Sequence, residues 1–146
     1  EYQIYESRAA GADAILLIAE VLRTDALSRW LPICRVLELS VLIEVHDEKN
    51  LRALLERVGP PGPGNYLLGI NNRDLTTQRT DLSTTVRLAR LLPEKAPFVS
   101  ESGIATREDV AAVQQAGACA VLVGEALLRS PNIGMKIASL FTKERV

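Results

Sequence analysis

Short unbroken apolar runs alternate along this chain with amphipathic stretches, and few architectures accept that pattern. The runs are Ala14–Ala19, Val41–Val45, Tyr66–Ile70, Phe98–Ser100 and Ala120–Val123, each bounded by polar residues or glycine. Unbroken apolarity over four to eight residues, rather than strict alternation, marks strands covered on both faces, as in a parallel sheet. Between the runs, apolar residues recur at three- and four-residue spacing: Leu51/Leu54/Leu55/Val58, Val86/Leu88/Ala89/Leu92 and Val110/Val113/Ala116. That is the spacing of one helix face.

The punctuation agrees. Asp47, the Asp81/Ser83 pair and Thr106 stand where helices should begin, and acidic residues follow Thr106 in its first turn. Gly11, Gly59 and Gly117 stand where helices should end. The Gly59–Gly64 stretch is a turn-rich connector, since a strand follows at once. The order is a helix and then five strand–helix units, which implies parallel strands with right-handed crossovers. A doubly wound sheet and a closed barrel both satisfy it.

An internal repeat favours the barrel. Ala10–Arg23 (AGADAILLIAEVLR) aligns without gaps on Ala116–Arg129 (AGACAVLVGEALLR), although two Ala/Gly-rich helix ends running into strands would also look alike. Four strands begin within that offset, so one unit takes about 26 residues and eight would make the roughly 250 of a (β/α)8 TIM barrel. The expectation is an α/β fold: residues 1–146 as one partial (β/α)8 domain of about five units, lacking the first three strands.

Composition closes off other classes. The 146 residues are 47% hydrophobic, 24% charged and 4% aromatic, enough for one ordinary globular core. A net charge of -1 gives no attraction to nucleic acid or an anionic membrane. No apolar run approaches the roughly 20 residues of a membrane span, and residues 1–20 lack the basic-then-apolar layout of a signal peptide. Cys34 and Cys119 are expected as buried thiols rather than a disulfide framework. A cytoplasmic setting fits. The chain opens at Glu1, without Met, inside an apparent helix, and so reads as a piece of something longer.

In a barrel, chemistry gathers at the C-terminal ends of the strands. This sequence places there Glu20; Glu44 with His46 and Asp47; Asn71, Asn72, Arg73 and Asp74; Ser100, Glu101, Ser102 and Gly103; and Gly124 and Glu125. Glu44 sits inside an apolar run, where a carboxylate is costly unless it faces a polar cavity or a partner. Arg73 could grip a carboxylate or phosphate with two parallel bonds, yet Asn-Asn-Arg-Asp is equally ordinary turn material. Gly103, before a capped helix, and Gly124 suit a phosphate held by backbone N–H groups. The lone His46 is expected to be structural, and no metal-ligand cluster stands out.

Several of these segments resemble one family. Tyr2–Ile18, Leu42–Asp47, Leu68–Leu75 (LGINNRDL), Val99–Ile104 and Val121–Leu127 resemble, in order and spacing, indole-3-glycerol phosphate synthase from its third helix onward, and Leu68–Leu75 is the most specific of them. The resemblance implies ring closure of 1-(2-carboxyphenylamino)-1-deoxyribulose 5-phosphate to indole-3-glycerol phosphate, with loss of carbon dioxide and water and no cofactor or metal. It implies a cytoplasmic protein, or a plastid one in a plant. It assigns catalysis to Glu44, Asn71 and Glu101, substrate binding to Arg73, Leu75 and Ser102, and the phosphate to Gly103, Gly124 and Glu125. Some relatives have Ser where this chain has Glu125, so that carboxylate is expected to turn away from the phosphate.

Two lysines that the family draws from its first and third strands have no counterpart here. Lys49, Lys95, Lys136 and Lys143 all fall on helices or their flanks. Carbonyl protonation needs a general acid, so this polypeptide alone is expected to be inactive. A part-barrel also leaves two open sheet edges and an apolar face, which predicts pairing with a second copy. Two other readings remain: another ribose-phosphate barrel such as phosphoribosylanthranilate isomerase, which lacks the Asn-Asn-Arg-Asp-Leu stretch, and a non-catalytic half-barrel.

Overall fold

The computed structural model of the chain describes residues 1–74 and 76–142. Leu75 and Lys143 therefore lie outside the described residues. The elements run α1 (Tyr2–Ala9), β1 (Ala14–Ile18), α2 (Thr24–Val36), β2 (Ser40–Val45), α3 (Glu48–Arg57), β3 (Leu67–Asn71), α4 (Ser83–Ala89), β4 (Phe98–Glu101), α5 (Arg107–Gln115), β5 (Ala120–Leu122), α6 (Glu125–Leu128) and α7 (Ile133–Phe141).

All five strands are parallel and lie side by side in chain order, β1-β2-β3-β4-β5. A doubly wound sheet reverses direction at a switch point, and this one does not. Sequential order with right-handed crossovers puts every helix on one face and curls the sheet toward closure. The chain is thus a partial (β/α) barrel.

Burial separates the two faces. Toward the helices, Leu17, Ile43, Val45, Leu68, Ile70 and Phe98 pack with Leu27, Leu31, Cys34, Leu51, Leu54 and Leu88 into one cluster. On the other face Leu16 and Leu122 remain 48% exposed. The expectation of strands covered on both sides fails there, because five strands leave the concave face open. Cys119 follows the same logic. It precedes the short edge strand β5 and is exposed, not buried, while Cys34 is buried as expected.

The helix signals hold with one change. Asp47 accepts from the Asn50 N–H at 2.7 Å. Thr106 and Asp109 form a reciprocal capping box at the start of α5. At α4 the first turn has no cap from its own N-cap residue, Leu82, and Asp81 instead bonds the N–H and hydroxyl of Ser83. The α4 cap comes from across the fold, as described next. Among the described residues no helix is long and apolar enough to cross a membrane.

Candidate active site

Sheet register dictates which side chains meet. Glu44 pairs with Gly69, and Asn71 pairs with Glu101. Paired residues share a face, as do residues two apart on one strand, so Glu44, Gly69, Asn71 and Glu101 all point to the concave face. Asn71 Nδ2 donates to Glu44 Oε1 at 2.7 Å, and Asn71 Oδ1 accepts from the Arg73 N–H at 2.8 Å. Glu44, Asn71 and Glu101 are all buried, although that face is open toward its edges.

The Glu101 carboxyl leans back over Gly69. A Cβ at Gly69 would lie 2.0 Å from Glu101 Oε1. No donor among the described residues reaches that oxygen. Its polar neighbour is the Glu44 carboxyl, and two carboxyls can sit together only with a proton between them. Burial first, and then the charge and hydrogen bond of Glu44, push Glu101 up to about 7. A carboxyl that keeps its proton near neutrality can donate it to a bound molecule.

That arrangement strains the fold above mildly acid pH. An unfolded Glu titrates at its ordinary value of 4.5, and the folded Glu101 at about 7. Between those values the folded state holds a proton the unfolded state has released, so stability declines as pH rises through that window. Glu101→Gln removes the cost and supplies an amide donor toward Glu44. We expect it to raise the unfolding free energy read by urea titration at pH 8 by on the order of 2 kcal/mol, with the gain vanishing near pH 4.5. A pH-independent gain would contradict the proton-sharing pair.

Asn72 points the other way. Its side chain is buried and donates to Ser100 Oγ at 3.0 Å and to the carbonyls of Glu101 and Ser102 at 3.0 and 3.1 Å. Its Oδ1 accepts from the Thr85 N–H at 3.1 Å and from Thr85 Oγ1 at 2.8 Å. Thr85 is the third residue of α4, so Asn72 is that helix's missing cap. The Asn-Asn pair therefore divides between a site residue and a brace. Ser102, which adopts φ 65, and Gly103, at φ 73, turn the chain sharply just after β4. The Asn72 bond to the Ser102 carbonyl holds that strained turn.

Beside the carboxyl pair lies a cleft of about 420 Å³, lined by Arg73, Ser102, Gly103, Gly124, Glu125 and Arg129 among others. Among the described residues neither the Gly103 nor the Gly124 N–H finds a backbone or side-chain acceptor. The two amides just before α5 are not similarly free: Asp109 Oδ2 takes the N–H groups of Ala105 and Thr106. Glu125 does not turn away. Its Oε2 lies 2.8 Å from Arg73 Nη2 and its Oε1 lies 3.1 Å from Arg129 Nη2. Lys49 is in α3 and Lys136 in α7; Lys95 lies between α4 and β4, and none of the three lines the cleft.

Near the C-terminal ends of β1 and β2, Glu20 accepts from the His46 N–H at 2.8 Å, and its Oε1 lies 3.0 Å from His46 Nδ1. Glu20, His46 and Asp47, which the sequence places at the same end of the strands, have ligand atoms within 4.8 Å of one another. The Asp47 oxygens are already engaged by Asn50, in capping α3.

The sequence thus pointed to Glu44, Asn71, Arg73, Glu101, Ser102, Gly103, Gly124 and Glu125, and the structure gathers them at one end of the sheet. Sequence reading missed Gly69, Thr85 and Arg129. A Thr on the buried side of α4 was the available signal.

Comparison with known proteins extends over almost the whole chain. The family model described as indole-3-glycerol phosphate synthase matches residues 1–140. The chain is 48% identical over 140 residues to the indole-3-glycerol phosphate synthase of Albidiferax ferrireducens, covering 96% of this chain and 51% of that protein. With the synthase of Ruminiclostridium cellulolyticum the identity is 43% over 139 residues, 95% of this chain and 51% of the relative. The chain spans about half the length of these curated relatives. Among solved structures, a 3-hexulose-6-phosphate synthase superposes with a TM-score of 0.60 at 17% identity, over 95% of this chain and 65% of the other, a likeness of fold.

Proposed function

The chain belongs to the indole-3-glycerol phosphate synthase family, and on that premise we propose that it carries the last five of eight barrel strands and half of the catalytic face of such an enzyme. The reaction converts 1-(2-carboxyphenylamino)-1-deoxyribulose 5-phosphate to indole-3-glycerol phosphate, releasing carbon dioxide and water. The observation that carries this is the buried carboxyl pair Glu44/Glu101, joined to Asn71 and set beside a glycine-lined cleft.

In that role the gap between the carboxyl pair and the cleft takes the substrate. The N–H groups of Gly103, Gly124 and Glu125 hold its phosphate, with Ser102 bonding beside them. Arg73 faces the aromatic carboxylate, and the family resemblance alone assigns Leu75 to substrate binding. Asn71 ties Glu44 to the Arg73 backbone and so keeps the charged wall in register with the arginine. Glu44 stabilises positive charge that develops on the anilino nitrogen during ring closure. Glu101, which keeps its proton near neutrality, moves a proton to or from the same centre. None of this needs a cofactor.

The cation and general acid for the carbonyl oxygen would come from lysines on the missing strands. The isolated chain is therefore expected to bind substrate without turning it over. Calorimetric titration of the 146-residue chain with substrate should show binding, weakened by Glu44→Gln, while indole fluorescence stays flat. Product formation by the chain alone, or no binding at all, would count against the proposal. We place the enzyme in the cytoplasm, or in the plastid stroma of a plant.

The open edges bear on the state of this chain in solution. A hollow of about 470 Å³ runs along β1, lined by Ile15, Leu17, Leu22 and Trp30 among others. Together with exposed Leu16 and Leu122 it would be covered by a second copy. On the titration samples, light scattering at the monomer mass would exclude that dimer.

A further inference from the structure

The cleft holds a feature that its proposed role does not require. One carboxylate, Glu125, holds two guanidinium groups, one on each oxygen: Arg73 at 2.8 Å and Arg129 at 3.1 Å. Arg73 comes from the loop after β3, and Arg129 lies one turn along from Glu125 itself. All three line the cleft that Gly103 and Gly124 also line.

We infer that Glu125 is an internal counter-ion, a latch that occupies Arg73 while the cleft is empty and is exchanged for the anionic group of an incoming ligand. The inference rests on the proposed anion-binding role of the cleft and adds a specificity device to it.

Charge and exposure carry it. A phosphate on the Gly103 and Gly124 amides would meet the Glu125 carboxylate at close quarters, and like charges there oppose binding. The same phosphate attracts both arginines. The conflict resolves if Glu125 swings into solvent as the anion arrives. The Glu125 side chain is 55% exposed and Arg129 80% exposed, so that half of the arrangement is held weakly and opens at little cost. Arg73 is only 30% exposed, and its Nη1 also reaches the Gln78 carbonyl at 3.4 Å, so the arginine stays while the glutamate leaves. A ligand must then outcompete a carboxylate for Arg73. A phosphate dianion on the glycine amides does this by attracting both guanidinium groups and repelling Glu125, which leaves Arg73 free to meet a carboxylate of the same ligand. The latch thereby ties the release of Arg73 to an occupied phosphate cradle and keeps Arg73 compensated otherwise.

The test is a titration of the 146-residue chain with inorganic phosphate, followed through the amide signals of Gly103 and Gly124. Glu125→Gln should tighten binding about fivefold. In an Arg73→Gln background the same substitution should change affinity less than about twofold, because there is no longer an arginine to release. A gain that persists without Arg73 would show plain charge repulsion and overturn the latch. Equal affinity in the Glu125→Gln and unsubstituted chains, with the glycine signals still shifting, would overturn the latch and leave the phosphate role standing. Unmoved glycine signals in every chain would remove both.

Discussion

Replacing Asn72 by Ala is expected to lower the unfolding free energy by about 3 kcal/mol, the largest stability loss of any single polar substitution near the site. The reason is a closed ring of donors. Asn72 Nδ2 donates to Ser100 Oγ, Thr85 Oγ1 donates to Asn72 Oδ1, and the 2.7 Å contact between the two hydroxyls is then Ser100 donating to Thr85. Every hydrogen has an acceptor in only that sense around the ring. Alanine breaks it in two places and strands the Thr85 N–H, which Asn72 also caps. It also removes the side-chain donor of the Ser102 carbonyl, while the Glu101 carbonyl keeps the backbone N–H of residue 72 at 2.8 Å. Thr85 and Ser100 are completely buried, so no water replaces the lost partner. A urea titration reads the effect. A loss below about 1 kcal/mol, the value of one ordinary hydrogen bond, would mean that Asn72 is not the brace described. Ser102, held at φ 65 by this bond, should also lose its fixed position, so Asn72→Ala should weaken phosphate binding although Asn72 does not face the cleft.

How the sequence reads at such positions is instructive. Strand order and helix ends were legible because periodicity and capping are local: Thr106 with Asp109, or Asp47 with Asn50, needs only three residues. Glu44 was legible because one carboxylate in an apolar run has few explanations. Asn71 and Asn72 were not separable by composition. Their difference is a single step along a strand, and the step sends one side chain to the concave face and the other to the helices. Asn72 finds its partners 13 and 28 positions away, and no local pattern carries that information. The same limit hid Arg129. Its spacing from Glu125 was visible, but the arrival of Arg73 from 52 residues away was not. The open concave face is a third case. Leu16 and Leu122 read as core because the sequence of a barrel strand is written for a closed barrel.

Gly69→Ala is expected to leave the fold intact and disable the carboxyl pair. The new methyl would lie 2.0 Å from Glu101 Oε1 and 3.0 Å from its Cδ, distances no packed structure tolerates. Its next neighbour, Leu42 Cδ1 at 3.4 Å, is at the near limit of ordinary contact. What must move is the far end of a flexible side chain, not backbone, so the strand stays and the Glu101 carboxyl goes. Stability should change by less than about 1 kcal/mol, since alanine suits a strand slightly better than glycine. Chemistry should change far more. Glu101 moves away from Glu44 and toward water, so both causes of its raised titration weaken and it should titrate near the ordinary 4.5 rather than about 7. The decline in stability between those pH values should flatten with it. When this half is joined to the strands that complete the site, loss of a positioned proton carrier should reduce turnover by about a hundredfold or more. Carbon-13 shifts of the Glu101 carboxyl, followed against pH, separate two explanations of the raised value. If Glu101 in Gly69→Ala still titrates near 7, burial alone holds the proton. If the value falls while the circular dichroism is unchanged, the bare Cα of Gly69 is the seat that brings the two carboxyls together.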